Sequence, residues 1–311
     1  MTVSSSVNGS YEHTSLADIS SNKIIANVSS MPENSMALDS KDGLIFASEK
    51  NGFANDGSLA IYNSTTLALL KKIPVGINPS KPLYDPDNSR VYVGTYGFKN
   101  QPTTAQQAVE VINPKTMSVV QNISAGYFIH YLAYDSANHY VYAGNDGSLC
   151  GFCSTSNTTV IDPASGKVVS TIPDLFGEMI FSPATQELYL LNYSETALVQ
   201  QLVWLNSSSK VYGSLRLTTN SSIAFSNFAY DTASGSIFIS NSSSLPTGQV
   251  TATSISVFDP RVHRVTGVIS LPGQALLIAI VSAGTNLYVS ADTTPQAKFQ
   301  ANGGVFVFTS G

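Results

Sequence analysis

The chain has 311 residues, of which 11% are charged and 43% hydrophobic, with a formal net charge of −5. That charged fraction is well under the usual quarter of a soluble protein, and the scattered charges include no run of Lys or Arg to neutralise a row of phosphates, which argues against nucleic acid as a partner. The most apolar stretch, residues 271–281 (LPGQALLIAIV), is about half a bilayer span and holds an early Pro and Gly, so it reads as a buried strand and no membrane span is expected.

Ser, Thr and Asn take the place of the missing charges. That exchange fits a surface kept soluble by hydroxyls, amides or attached sugars, and it would also suit an acidic medium. Residues 1–20 read as a polar N-terminal tail with neither a basic start nor an apolar centre, so the chain as given carries no export signal. Residues 21–311 read as one folded domain, since repeat architectures use this length around a single core.

The first strand-like text is NKIIANVSS at 22–30. From there a unit of about fifty residues recurs six times, within the range of propeller repeats. An apolar first strand ends in a turn residue, in order Asp39, Asp85, Asp135, Ser182, Asp231 and Ser282. A second strand follows each turn: LIFAS at 44, RVYVGT at 90, YVYAGN at 140, LYLLN at 188, IFISN at 237 and LYVSA at 287. After a variable loop a third strand alternates apolar and polar residues, as in VEVIN at 109, which is the period-two mark of a strand. A fourth strand, such as KVVSTIP at 167, closes only five of the six units.

The sixth fourth strand is expected at the other end of the chain. The reading is an all-β fold, a six-bladed β-propeller of four-stranded blades, closed by the N-terminal strand at 22–30 completing the last blade beside residues 304–310.

The texts VYVGTY, VYAGN and LYVSA, with their YD-like turns and V-x-V-I-(N/D)-P third strands, resemble the YVTN propeller repeat family across about residues 21–311. The resemblance implies a protein of an archaeal surface layer or a bacterial periplasmic or secreted protein. Related YVTN-like rings include lactonases and lyases. Two departures stand out: members commonly have seven blades, and the text YVTN itself is present only in altered form.

Candidate ligand groups come from the loops entering the first strands, which converge on the channel of a propeller. Counting back from the turn residues gives Asn34, Lys81, His130, Glu178 and Asn227 as ligand-binding candidates. Lys81, His130 and Glu178 together would suit acid/base chemistry on a polar small molecule, because His titrates near neutrality and burial raises a Glu pKa. The plainer reading is a water-lined channel. No metal or other cofactor is expected, because the four histidines share no ligand spacing and no phosphate loop or nucleophile elbow occurs.

The second-to-third loops, at 49–58, 95–107, 145–157, 192–199, 241–254 and 291–303, are far longer than hairpins need. Phe53, Tyr96, Phe98, Phe152 and Phe299 on them are the partner-binding candidates, for a protein or glycan at the cell surface. Cys150 and Cys153 in one of these loops read as a small disulfide, with free thiols or a redox or metal role as the alternatives. Nine sequons occur, at Asn8, Asn27, Asn63, Asn122, Asn157, Asn192, Asn206, Asn220 and Asn241, against about five by chance; those from Asn27 onward are the glycosylation candidates.

Three functions fit these features. The first is a secreted or cell-surface, non-catalytic binding or structural module. The second is an extracellular lactonase-like hydrolase or lyase working at the channel mouth. The third is a self-assembling subunit of a surface layer or filament.

Overall fold

In a computed structural model, the structure describes residues 2–7, 10–18, 23–29, 36–50, 57–95, 108–147, 156–194, 199–217, 228–244, 250–283, 286–292 and 303–309. A three-stranded sheet comes first: β1 (Thr2–Val7), β2 (Ser10–Asp18) and β3 (Lys23–Ser29). The next sheet holds β4 (Met36–Asp39), β5 (Leu44–Lys50), β6 (Gly57–Asn63) and β7 (Leu69–Val75). The following one holds β8 (Leu83–Asp85), β9 (Arg90–Gly94), β10 (Ala108–Asn113) and β11 (Ser118–Ser124). Then come β12 (Ile129–Asp135), β13 (Tyr140–Asn145), β14 (Asn157–Asp162) and β15 (Lys167–Pro173). A fourth such sheet holds β16 (Met179–Ser182), β17 (Glu187–Ser194), β18 (Val199–Leu205) and β19 (Val211–Arg216). The last sheet has six strands: β20 (Phe228–Tyr230), β21 (Ile237–Ser244), β22 (Val250–Asp259), β23 (Arg264–Ala283), β24 (Asn286–Asp292) and β25 (Gly303–Thr309).

The chain divides into two compact units, one of residues Met1–Ser4 and Tyr11–Met179, the other of Ser5–Ser10 and Ile180–Gly311. In the first, Phe46, Leu59 and Ile61 of one sheet pack with Val91, Val93 and Ile112 of the next. Tyr92, Val109 and Val111 then pack with Ile129, Val141 and Ile161. In the second unit Tyr189, Leu202 and Trp204 pack with Ile237, Ile239 and Phe258. Within each unit these sheets thus bury their middle strands against one another, each large side chain contributing about 1.5–3 kcal/mol. The fourth strand is left open on one side, and β15 is exposed along almost its whole length.

Two sets of tight turns, first-to-second and third-to-fourth, share one end of each four-stranded sheet and of the first four strands of the six-stranded one. Between first and second strands the buried Asp39, Asp85, Asp135 and Asp231 accept the backbone N–H two residues on, at 2.8–3.1 Å. Between third and fourth strands Asn63, Asn113, Asp162, Asn206 and Asp259 do the same in exposed or half-exposed positions. Asx turns of this kind supply locally the hydrogen bonds that the reversing backbone loses. In most of them the fourth residue after the Asx or Ser takes a left-handed conformation, whether glycine (Gly43, Gly166, Gly235) or not (Ser89, His139, Gln186, His263). The third-to-fourth ladder slips register at the same place in five sheets, at Ile61/Tyr62, Val111/Ile112, Val160/Ile161, Trp204/Leu205 and Val257/Phe258. A bulge there increases the local twist of the outer strand.

Three features differ from the sequence expectation. The segment expected to pair with residues 304–310 forms β3, which pairs with β2 (His13↔Ser29 to Asp18↔Lys23), while β25 lies at the border of its sheet on β24. A hairpin with a four-residue link costs far less closure entropy than a pairing across nearly the whole chain. The stretch 1–20, expected as a polar tail, supplies β1 and β2. Finally, β23 runs through Pro272 and Gly273 as a single strand, pairing with β22 by its first part and β24 by its last. One strand therefore serves both of the last two repeats.

Candidate functional site

The end of each sheet opposite the tight turns is where the long loops leave. In the third repeat that end is marked by the pairings Ile129↔Asn145 and Asn157↔Pro173. The β12 register slips between Ile129 and Tyr131, which makes His130 the extra residue of a bulge. Adjacent strand residues normally point to opposite faces, and a bulge re-aims one of them. Here His130 and Tyr131 both reach Phe176, on the connection from β15 to β16, with ring centroids 5.7 and 5.5 Å away. Their own rings are 5.8 Å apart.

A carboxylate sits at the edge of this aromatic cup. Asp146, just after β13, places Oδ2 3.9 Å from His130 Nε2, an ion-pair distance for a protonated imidazole but too long for a hydrogen bond. Its backbone N–H donates to the Phe128 carbonyl at 3.1 Å, and the Ser156 hydroxyl donates to its Oδ1 at 3.4 Å. Beside it the Asn145 amide nitrogen reaches the Ala125 carbonyl, Asn157 Oδ1 and Thr159 Oγ1 at 2.8–2.9 Å, fixing the base of the loop. The arrangement offers ring surface, one imidazole and one held carboxylate: a surface that stacks a planar or ring-shaped group and hydrogen-bonds its edge.

Of the sequence candidates, His130 lies in the cup and Glu178 two residues beyond Phe176, half-buried. Lys81 is exposed one repeat earlier, beside Ser80, whose hydroxyl accepts from the Gly94 backbone N–H at 3.0 Å. Asn34 and Asn227 lie outside the described residues, as do Phe53, Tyr96, Phe98, Phe152, Phe299 and both cysteines. Among the sequons, Asn63 and Asn206 cap turns through Oδ1, and Asn157 accepts from Asn145. Asn122 is exposed on the outer strand β11 and Asn192 is half-buried in β17. Asn27 and Asn241 lie on β3 and β21 with side chains outside the described ones, and Asn8 and Asn220 fall wholly outside.

Asp146 and Phe176 were not anticipated: the text NDGS at 145–148 has the composition of a turn, and no alternation pattern announces a bulge. A second omission concerns histidine. His139 and His263 each take the left-handed fourth position of a tight turn, the first between β12 and β13 and the second between β22 and β23. His139 Nδ1 lies 2.9 Å from Asp87, which also accepts from the Tyr134 hydroxyl. His263 Nε2 lies 2.9 Å from Glu187 and stacks on Trp204 at 4.7 Å between centroids.

No family model matches the chain, and no curated protein does. Among solved structures it is similar to hydrazine synthase of Kuenenia stuttgartiensis, at 15% identity and a TM-score of 0.69, over 96% of this chain and 90% of that one. It is also similar to dihydro-heme d1 dehydrogenase NirN in complex with DHE, at 15% identity and a TM-score of 0.63, over 96% of this chain but only 59% of that one. A functionally unknown protein from Desulfotomaculum acetoxidans DSM 771 matches at 15% identity and a TM-score of 0.56, over 82% of this chain and 77% of that one. The first two are β-propeller proteins. The fold is a β-propeller. At this identity the likeness concerns fold alone, and a propeller scaffold hosts many functions. The cup then belongs to the third blade and to the connection leading into the fourth.

Proposed function

We propose that this chain is an exported, six-bladed propeller of the YVTN-like kind that acts as a non-catalytic binding module, taking a protein or glycan at the cell surface on its long-loop rim. The observation that carries the reading is the bulge that turns His130 and Tyr131 together onto Phe176, with Asp146 beside them. A bulge is a local cost to the ladder, and bulges gather where a side chain has to be re-aimed for use. Rings with one carboxylate and one imidazole suit the mixed apolar and hydroxyl faces of a sugar or the side chains of a protein loop. The sequons support export, and Asn122 stands exposed where a glycan has room.

The test is binding of the labelled full chain to a glycan array and to native cell-surface material. Tyr131→Ala and His130→Ala are expected to abolish retention while the protein still melts cooperatively. Retention unchanged in both variants overturns the reading. Hydrolysis of a lactone or glycoside substrate that is lost in Glu178→Gln assigns the enzyme instead.

A further inference from the structure

A groove of about 440 Å³ opens between the second and third repeats at the tight-turn end, away from the cup. Its polar lining includes Arg90 and Tyr92 of β9 and Asn88 of the turn before them; Val111, Ile123 and Pro163 supply apolar wall. The volume is in the range of small-ligand sites. Arg90 spends one nitrogen, Nη1, on the carbonyls of Asn88 and Ser89 at 3.5 and 3.1 Å, and makes no ion pair among the described residues.

The groove also holds an unspent buried hydrogen. Tyr92 is 1% exposed, and its hydroxyl accepts from the Asn88 amide at 2.8 Å, which leaves its own O–H without a described acceptor and Asn88 Oδ1 buried without a donor. Turning the amide over makes the phenol the donor and frees an amide N–H instead, so either orientation leaves one donor over. Burial keeps the phenol protonated, with its pKa raised to about 12. The nearby carboxylates are already engaged: Asp85 with the backbone of Asp87 and Asn88, Asp162 with Ala164 and Ser165.

The fourth repeat shows one way of completing this position. In the fourth, the equivalent Tyr189 donates to Glu187, two residues before it, and His263 lies 2.9 Å from the same carboxylate. A carboxylate there sits between a phenol and an imidazole. In the third, Tyr142 accepts from the Asn138 amide at 2.8 Å as Tyr92 does from Asn88, but there the amide oxygen, Asn138 Oδ1, is satisfied by the Tyr140 backbone N–H at 2.9 Å. In the second repeat the residue equivalent to Glu187 is Arg90, so a buried donor and a cation line one groove, and no described residue supplies a carboxylate to either. The geometry points to the Arg90–Tyr92 groove as a binding site for a carboxylate on a small apolar body, held by the guanidinium and the buried donor with its body against Val111 and Ile123. Guanidinium matches carboxylate in shape as well as charge.

Calorimetric titration of the full chain with benzoate tests this, with benzamide as the neutral control. Benzoate is expected to bind one to one, benzamide not, and Tyr92→Phe and Arg90→Gln each to weaken benzoate at least about tenfold. If Arg90→Gln fails to fold, the near-isosteric Tyr92→Phe decides alone. N-acetylphenylalanine, run beside benzoate, separates sources: tighter binding assigns the groove to chain-terminal carboxylates, weaker binding to free acids. Benzoate that does not bind at millimolar concentration, binds no better than benzamide, or binds both variants as it binds the parent overturns the proposal. Tyr131→Ala leaves this binding unchanged, which keeps the outcome separate from that of the cup.

Discussion

Gln186 has a φ of 56° at a turn position where Gly43 and Gly235 stand in other repeats. A side chain in the left-handed region costs about 1 kcal/mol, partly offset by the freedom glycine adds to the unfolded chain. Gln186→Gly is therefore expected to raise stability by up to about 1 kcal/mol in urea unfolding. A second residue has a readable pH dependence. Glu110 is buried, with Oε1 accepting from the Gly76 N–H at 3.0 Å and Oε2 without a partner. Burial raises its pKa above 4.5, and burial does the same to Asp85 and Asp135 above 3.8. Such groups bind protons more tightly when folded. Their stabilisation is complete below the unfolded values and is lost as pH rises through the folded ones. Unfolding free energy is expected to rise from pH 7 toward about 4.5, with a shallower rise in Glu110→Gln. Asp87, Asp162 and Asp259, held low by hydrogen bonds to Tyr134 and His139, to Ser165 and to Arg261, oppose this only as pH falls below the ordinary aspartate range. The turn aspartates were legible in sequence because each opens a strand-turn-strand text. The left-handed positions were not, since Ser89, His139 and Gln186 carry no glycine signal.

At the scale of elements, period-two alternation and turn residues located the four strands of the first four repeats. Alternation reports which face is buried but not which neighbour a strand takes. For that reason the β2–β3 pairing and the continuous β23 were missed, although β3 itself was anticipated. The pairing has a direct test. Deleting residues 1–20 removes β1 and β2, so the amides of β3 are expected to lose hydrogen-exchange protection while those of β9 and β10 keep theirs. The cup was half legible: counting back from Asp135 found His130, but a bulge is a register event and leaves no compositional trace. For Cys150 and Cys153, the expectation is no titratable thiol in protein purified without reductant. The double change to Ser is expected to cost about 2 kcal/mol or less, because the closed loop is so short.

For the molecule as a whole, the repeats were readable because turn after turn carries the same Asx signal, in Asp39, Asp85, Asp135 and Asp231. Their differences are what the repeat text hides: the same tyrosine position is completed by Glu187 in one repeat and shares a groove with Arg90 in another. The Asx turns carry a further consequence, for the order of events in folding. Each hairpin settles its own reversing backbone, and within the repeats the most extensive strand contacts join strands consecutive in the chain. Forming such a hairpin takes microseconds, and a β protein made of sequential pairs avoids the slow search that distant pairings impose. The hairpins are then the part of the native structure present at the rate-limiting barrier. Asp135→Ala, which removes the acceptor for the Ala137 N–H, is expected to slow refolding by nearly the whole of its equilibrium effect and leave unfolding almost untouched. Stopped-flow refolding and unfolding of that one variant would show whether the chain assembles blade by blade as it is made.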